Sequence, residues 1–329
     1  MLGGILALFA AATFGLNSVA IRRGVLSGSV AQGLSISIPI AVPIFLLMAL
    51  FTGALDLFST LSLKSVLLLS FAGIIHFIFG RYANYRATKA MGANLVGPVI
   101  SSSMILTLIL AIIFLKEVMT PLRIIGIAMV VLGPAFMLKS PEVLGKKNSE
   151  IAKEFTPKLL EGYLFATLCA IAFGTTPIML RSAFLDIEGS SIISGILGGL
   201  VSYVSATLVL CVYLTKKKNW VHAMSIDREA AKWFTLTGLF VCVSHLFRFM
   251  ALAIAPVSVV SPIIQSSGIF RTIFGWFINR NYEVFDFWII LGTLTTILGA
   301  VLLTLSVEDL FEMSALPSFV SDFLLLRWP

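Results

Sequence analysis

Apolar residues run along this chain in unbroken blocks, with neither the strict alternation of a half-buried strand nor the one-sided stripe of a surface helix. From Gly3 to Ser306 these blocks follow one another, each close to the ~20 residues an apolar helix needs to cross a bilayer. They predict ten spans, near 3–21, 31–52, 65–85, 93–115, 121–138, 162–181, 190–214, 232–254, 257–279 and 287–306. The first begins without a basic stretch or a cleavage site, so it reads as a retained helix and not as a signal peptide. Polar residues punctuate the blocks. Acidic residues fall in loops, at span ends or in the tail, while Arg81, Arg248 and Arg271 lie inside spans.

The pattern repeats. "GGILALFAAATFGLNSVAIRR" from Gly3 aligns with "GYLFATLCAIAFGTTPIMLRS" from Gly162, setting Gly3, Ala7, Ala11, Phe14, Gly15 and Arg22 opposite Gly162, Ala166, Ala170, Phe173, Gly174 and Arg181. "LVGPVISSSMILTL" from Leu95 echoes "VVSPIIQSSGIFRT" from Val259, with Pro98 on Pro262. "LKEVMTPLRIIG" then matches "NYEVFDFWIILG", with Glu117 on Glu283 and Gly126 on Gly292. The drift in offset along the chain is what loop insertions between matched helices produce. Five spans are an odd number, so the second copy must enter the membrane from the opposite side. The expected fold is all-α: a polytopic membrane protein of ten transmembrane helices arranged as two inverted five-helix repeats. The repeats cover residues 1–139 and 162–306, joined by a polar linker (140–161) and followed by a tail (307–329). Inverted repeats are common in secondary transporters, whose sites lie near the midplane between the copies.

"FGLN" and "FGTT" in the first helix of each repeat, prolines in the fourth and ninth spans, the glutamates that close them and the glycines of the fifth and tenth together resemble the EamA-type branch of the drug/metabolite transporter superfamily. The resemblance covers roughly residues 1–306. It implies export or exchange of metabolites by alternating access, through a cavity lined by helices 1–4 and 6–9. Two departures stand out: Thr176 occupies the place of Asn17, and Phe14 and Phe173 stand where many members carry tryptophan.

Composition agrees with a membrane protein: 58% hydrophobic, 12% charged, mean hydropathy +1.02. A soluble domain carries about 25% charged residues. The net charge of +7 sits mostly in short loops that orient helices, so nucleic acid is excluded as a partner. Counted by side, the basic residues favour both termini outside the cell (inner) membrane, on the same face, whereas the family resemblance favours both inside. Cys169, Cys211 and Cys242 lack ligand spacing and read as buried small hydrophobes. No HExxH, paired aspartates, Ser/His/acid set or GxxxxGK[ST] occurs, so neither an enzyme nor direct ATP drive is expected.

An ionisable residue at mid-membrane costs about 2.5–3.5 kcal/mol on insertion scales and needs a reason. The three arginines have no carboxylate at similar depth. They therefore either line the interior or snorkel to the headgroups. Arg81, Asn84 and Tyr85 share one helical face, as do His245 and Arg248, and the repeat alignment sets Arg81 against His245 and Asn84 against Arg248. With Arg271, Gln265, Ser267, Asn17 and His76 they form the candidate substrate-binding set. His76 is either bonded to a neighbouring helix or a proton carrier, and Asn17 either lines the cavity or bonds across helices. Pro39, Pro43, Pro98, Pro177 and Pro262 serve either as static kinks or as gates. Gly195 and Gly199 form a GxxxG expected to allow close packing.

The resulting expectation is a secondary transporter, exporter or exchanger, of a small anionic or zwitterionic metabolite, with a non-transporting receptor or scaffold, or an intramembrane enzyme, as the competing classes. The expected partners are a small-molecule substrate and the lipid bilayer, and a homodimer is compatible with the pattern. No cofactor or metal is expected.

Overall fold

The computed structural model describes residues 1–91, 96, 99–100, 102–117, 119–137, 158–187, 191–278 and 287–304. The polar linker, the tail, Pro98 and Glu283 lie outside them, so the overlays of Pro98 on Pro262 and of Glu117 on Glu283 are not among the described features.

All regular elements among these residues are helices. They are α1 (Leu2–Ser27), α2 (Val30–Ser37), α3 (Ala41–Thr52), a 3-10 turn (Ala54–Thr60), α4 (Leu63–Gly73), a π-helical segment (Ile74–Gly80), α5 (Arg81–Met91), α6 (Ser103–Leu115) and α7 (Pro121–Met137). The second half contributes α8 (Leu159–Leu185), α9 (Ile192–Leu214), the short α10 (Lys217–Met224), α11 (Arg228–Ile254), α12 (Val257–Gln265), α13 (Ser267–Ile278) and α14 (Phe287–Thr304). Six helical runs are long and apolar enough to cross a membrane: Leu2–Val25, Val30–Thr52, Leu63–Ala90, Leu159–Leu185, Ile192–Leu214 and Arg228–Ile254. The third reaches five residues beyond the 65–85 expected from hydropathy, because the polar stretch around Arg81 continues the helix instead of ending it.

Local chemistry sets the helix ends. Ser29 and Gln32 form a reciprocal capping box at the start of α2. Ser62 accepts from the Ser65 N–H at α4, and Asp227 accepts from the Glu229 N–H at α11. Gly53, at φ 70°, closes α3 in the left-handed conformation that glycine adopts without a Cβ penalty. Pro39 and Pro43 divide the second span into α2 and α3, with a turn at residues 38–40.

Contacts between loops sort the helix ends into two groups. At one end, Gly3 lies so close to Ala255 that a Cβ on it would fall 2.4 Å from that of Ala255. At the same end the Glu117 carboxylate receives the Val257 and Ser258 N–H groups, and Asp186 meets Ser62, Lys64 and Ser65. At the other end, Ser29 bonds His222 (2.8 Å), the Lys158 N–H donates to the Ala90 carbonyl (2.9 Å) and Arg86 pairs with Glu161. Successive long helices therefore run in opposite directions.

The outward faces are apolar: Leu46, Leu50 and Phe51 on α3, Leu164 and Leu168 on α8, and Leu208 and Val212 on α9 are all exposed. Such a surface suits lipid rather than water. Cys211 shares that α9 face and is exposed, unlike the buried Cys169 and Cys242, so its expected burial is corrected: it points outward between lipid-facing side chains. Inside, α9 packs tightly. A Cβ on Gly195 would sit 2.7 Å from the Met250 backbone of α11, and one on Gly199 would strike the Phe45 ring of α3, so the GxxxG serves close helix packing.

Candidate functional site

A polar cluster fills the middle of the bundle, surrounded by α1, α2, the π segment, α5, α8, α9 and α11. A π turn widens the helix by one residue and is often found where a side chain must be re-aimed. Here it carries His76 and Phe77, both buried. The His76 ring stacks on Phe173 of α8 (centroids 4.3 Å apart) and meets the edge of His245 of α11 (4.9 Å). His245 is also met edge-on by Phe14 (5.0 Å) and Phe77 (4.8 Å).

Arg248, one turn after His245, places its guanidinium Nη1 3.2 Å from His76 Nε2 and 3.5 Å from Nδ1. On its other side, His76 Nδ1 lies 3.0 Å from the Thr176 hydroxyl. The near-equal distances set the guanidinium against the imidazole as a whole and not on the line of one nitrogen's lone pair. The contact at the ring edge is the one between Nδ1 and the Thr176 hydroxyl, so position 176, where the second repeat departs from the asparagine of the first, anchors the histidine ring. Asn17 itself is buried on α1 with its Oδ1 unpartnered, and His245 Nδ1 is likewise buried without a hydrogen-bond partner. Two unpaired polar atoms in one buried region are uncommon, and each needs an explanation.

Arg81 takes a different role. It is buried, not snorkelling, and its guanidinium lies over the Phe77 ring, 5.2 Å from the centroid. It donates to the Ser37 carbonyl (3.4 Å) and hydroxyl (3.3 Å) and to the Tyr203 hydroxyl (3.4 Å). The Ser37 carbonyl lacks its regular helical partner because the Ala41 N–H turns to Ile38 at the proline break. Arg81 thus ties the broken second span to α9. Phe77 stacks on Tyr203 at 3.9 Å and completes this wall.

The remaining candidates are dispersed. Tyr85 is the exception: it is buried with its ring stacked on Phe234 (6.3 Å) and meets the Ser37 hydroxyl beside Arg81, while Asn84 accepts from Thr88 (3.4 Å) one turn along its own helix. Gln265 donates to Ser103 of α6 (3.3 Å) at the junction of α12 and α13, where Ser267 is half-buried. Arg271 lies on α13, and its side chain is outside what the structure describes. The structure therefore brings His76, Arg81, Tyr85, His245 and Arg248 together and adds Thr176, Tyr203 and Ser37, which were not among the expected site residues. For Thr176 a signal existed: it was the position where the two halves disagree.

A second polar device sits at the helix ends. Lys116 adopts a left-handed conformation (φ 53°) that turns the chain after α6, and the Glu117 carboxylate accepts from the Val257 (2.7 Å) and Ser258 (2.8 Å) N–H groups at the start of α12. A carboxylate at a helix N-terminus satisfies free donors and complements the helix dipole. Arg181 of α8 donates to the Leu252 and Ala253 carbonyls at the end of α11 (3.0 and 2.8 Å), so the α11–α12 corner is held from both sides.

Among solved structures, one described only as the crystal structure of a protein aligns over 95% of this chain and 98% of its own, with a TM-score of 0.61 at 14% identity. That likeness speaks for the fold alone. No curated protein matches the chain. The model of the EamA-like transporter family matches residues 1–139. Over these first 139 residues, with their apolar helices of membrane-crossing length, the chain is therefore similar to the EamA-like transporter family of the drug/metabolite transporter superfamily.

Proposed function

We propose that the chain is a secondary transporter moving a small anionic or zwitterionic metabolite by alternating access, built from ten membrane helices in two inverted five-helix repeats. One observation carries the substrate class: Arg248 and Arg81 are buried at the centre of the bundle with no carboxylate among their described partners. Arg81 is occupied by Ser37 and Tyr203, so Arg248 is the cation with donors to spare. A guanidinium holds a carboxylate or phosphate through two parallel hydrogen bonds. Arg271, on α13, is a further candidate cation. Asn17, His245, Gln265 and Ser267 supply neutral groups for the remainder of the substrate. Binding an anion offsets the cost of burying the guanidinium when the site closes.

Antiparallel helix ends meeting in two groups support the ten-span reading, since every long helix then crosses the same layer. Uptake of radiolabelled carboxylates and phosphates into proteoliposomes tests the substrate class. Arg248→Gln should abolish most of the flux, and undiminished flux would refute the assignment. We further propose that both termini face outward, from the distribution of basic residues. Lys217→Cys, at the end of the bundle opposite the amino terminus, should then resist an impermeant thiol reagent in whole cells. Labelling from outside would reverse the orientation.

A further inference from the structure

We propose that His76 and His245 form a proton-binding pair, so that the site takes up an anion together with a proton. The inference rests on the anion-transport reading above and adds its energy source. Its basis is geometric. The Arg248 guanidinium lies 3.2 Å from His76 Nε2 and 3.5 Å from Nδ1, so a charge on the imidazole would meet that cation directly. A proton arriving on the ring sets two cations against each other. Arg248 must then turn away, or an anion must enter and accept from both groups. Proton and anion each make room for the other, and such coupling is reciprocal by thermodynamic necessity. His245, with its edge against His76 and an unpartnered Nδ1, provides a second nitrogen through which the proton or the anion can be held.

Among the described residues, the surroundings contain no competing base. On α5 the charged neighbour is Arg81, and Tyr85 follows it one turn later. Tyr203 faces the pair from α9, and α11 contributes Cys242 beside Arg248 itself. Phe14 of α1, with Phe173 and Thr176 of α8, closes the remaining sides without a titratable group. Among the described residues, then, the imidazoles are the groups placed to accept a proton next to Arg248. In transport, the proton binds one imidazole nitrogen as the anion binds Arg248. Both leave on the other side, and Arg248 settles back against His76 in the empty site. For a monoanion the cycle moves no net charge.

The test uses the full-length protein in proteoliposomes with succinate, glutamate, glycerol 3-phosphate and inorganic phosphate as labelled probes, at equal pH or with the interior one pH unit more alkaline. One coupled proton supports about tenfold accumulation per pH unit. The expected result is that at least one probe accumulates to that extent in wild-type vesicles, and that H76Q and H245Q each lose the response to the gradient. Uptake by the wild type that ignores the gradient, or stimulation that survives both substitutions, overturns proton coupling and leaves the anion reading standing. No entry of any probe overturns both. Should a variant fail to fold, the gradient response of the wild type decides alone.

Discussion

The third span of the first half and the third span of the second are paired by the sequence alignment but built differently. The first is assembled from α4, the π segment and α5, whereas α11 is a single α-helix of 27 residues. The alignment places Arg81 against His245 and Asn84 against Arg248, yet the roles have parted. In the first half the arginine is spent on scaffold, bridging Ser37 and Tyr203. In the second it lies against His76, and on the reading proposed above it keeps donors for a ligand. The π turn makes the two meet, by inserting a residue and aiming His76 across the bundle at Arg248. Aligned sequence therefore does not impose matching contacts: Arg81 braces Ser37 and Tyr203, whereas Arg248 lies against His76.

Removing the π turn should have the largest effect. Deleting the outward-facing Phe79 lets the segment relax to an α-helix and turns His76 by about 100° relative to Arg81, from the 3.6-residue period. Anion uptake should fall below detection while the protein still inserts and purifies, and normal uptake would show that the π geometry is incidental. Next come the two arginines, which should separate cleanly. Arg248→Gln removes charged hydrogen bonds worth about 1.5–3 kcal/mol, so uptake should drop about 10- to 100-fold with little change in thermal stability. Arg81→Gln should instead cost about 1–3 kcal/mol of stability, through the Ser37 and Tyr203 groups left unsatisfied. The opposite assignment of the two losses would break the comparison.

A smaller effect is expected at Thr176. Thr176→Val keeps the shape but removes the hydroxyl bonded to His76 Nδ1, a hydrogen bond of about 0.5–1.5 kcal/mol, and should slow uptake about two- to tenfold, with Thr176→Ser restoring it. The smallest effect lies where the first-half span begins. Asp186 is held below the usual carboxylate range chiefly by the Ser62 hydroxyl, then by Ser65 and Lys64, and the group is fully exposed. Its folded-state value is depressed, so its contribution is present above the ordinary aspartate pKa, about 3.9, and is lost as pH falls below it. Asp186→Asn should lower the melting temperature slightly at neutral pH and not at all in strong acid.

Much of this was legible in the residues. The apolar blocks located the helices, and the lack of deep carboxylates pointed to interior arginines, as found for Arg81 and Arg248. The π segment was not legible, because residues 74–80 are apolar around most of the circumference and a change of helical period leaves no imprint on such a run. Thr176 escaped for another reason: a hydroxyl gains meaning only from the ring placed against it, and His76 lies 100 positions away in the chain. The outward turn of Cys211 was hidden as well, since burial and lipid exposure select the same residue types.

The Glu117 cap has a consequence for biogenesis. Its partners lie 140 and 141 residues downstream. At ribosomal speeds of about 5–20 residues per second, the carboxylate waits roughly 7–28 s at the membrane boundary before α12 is made. Throughout that interval the helices already made are an unfinished product with an exposed charge, competent for insertion but not for closure. Completion of the fold is thus timed by the second half, and a chain truncated after α11 should be recognised by membrane quality control as an orphan, however well its first half has inserted.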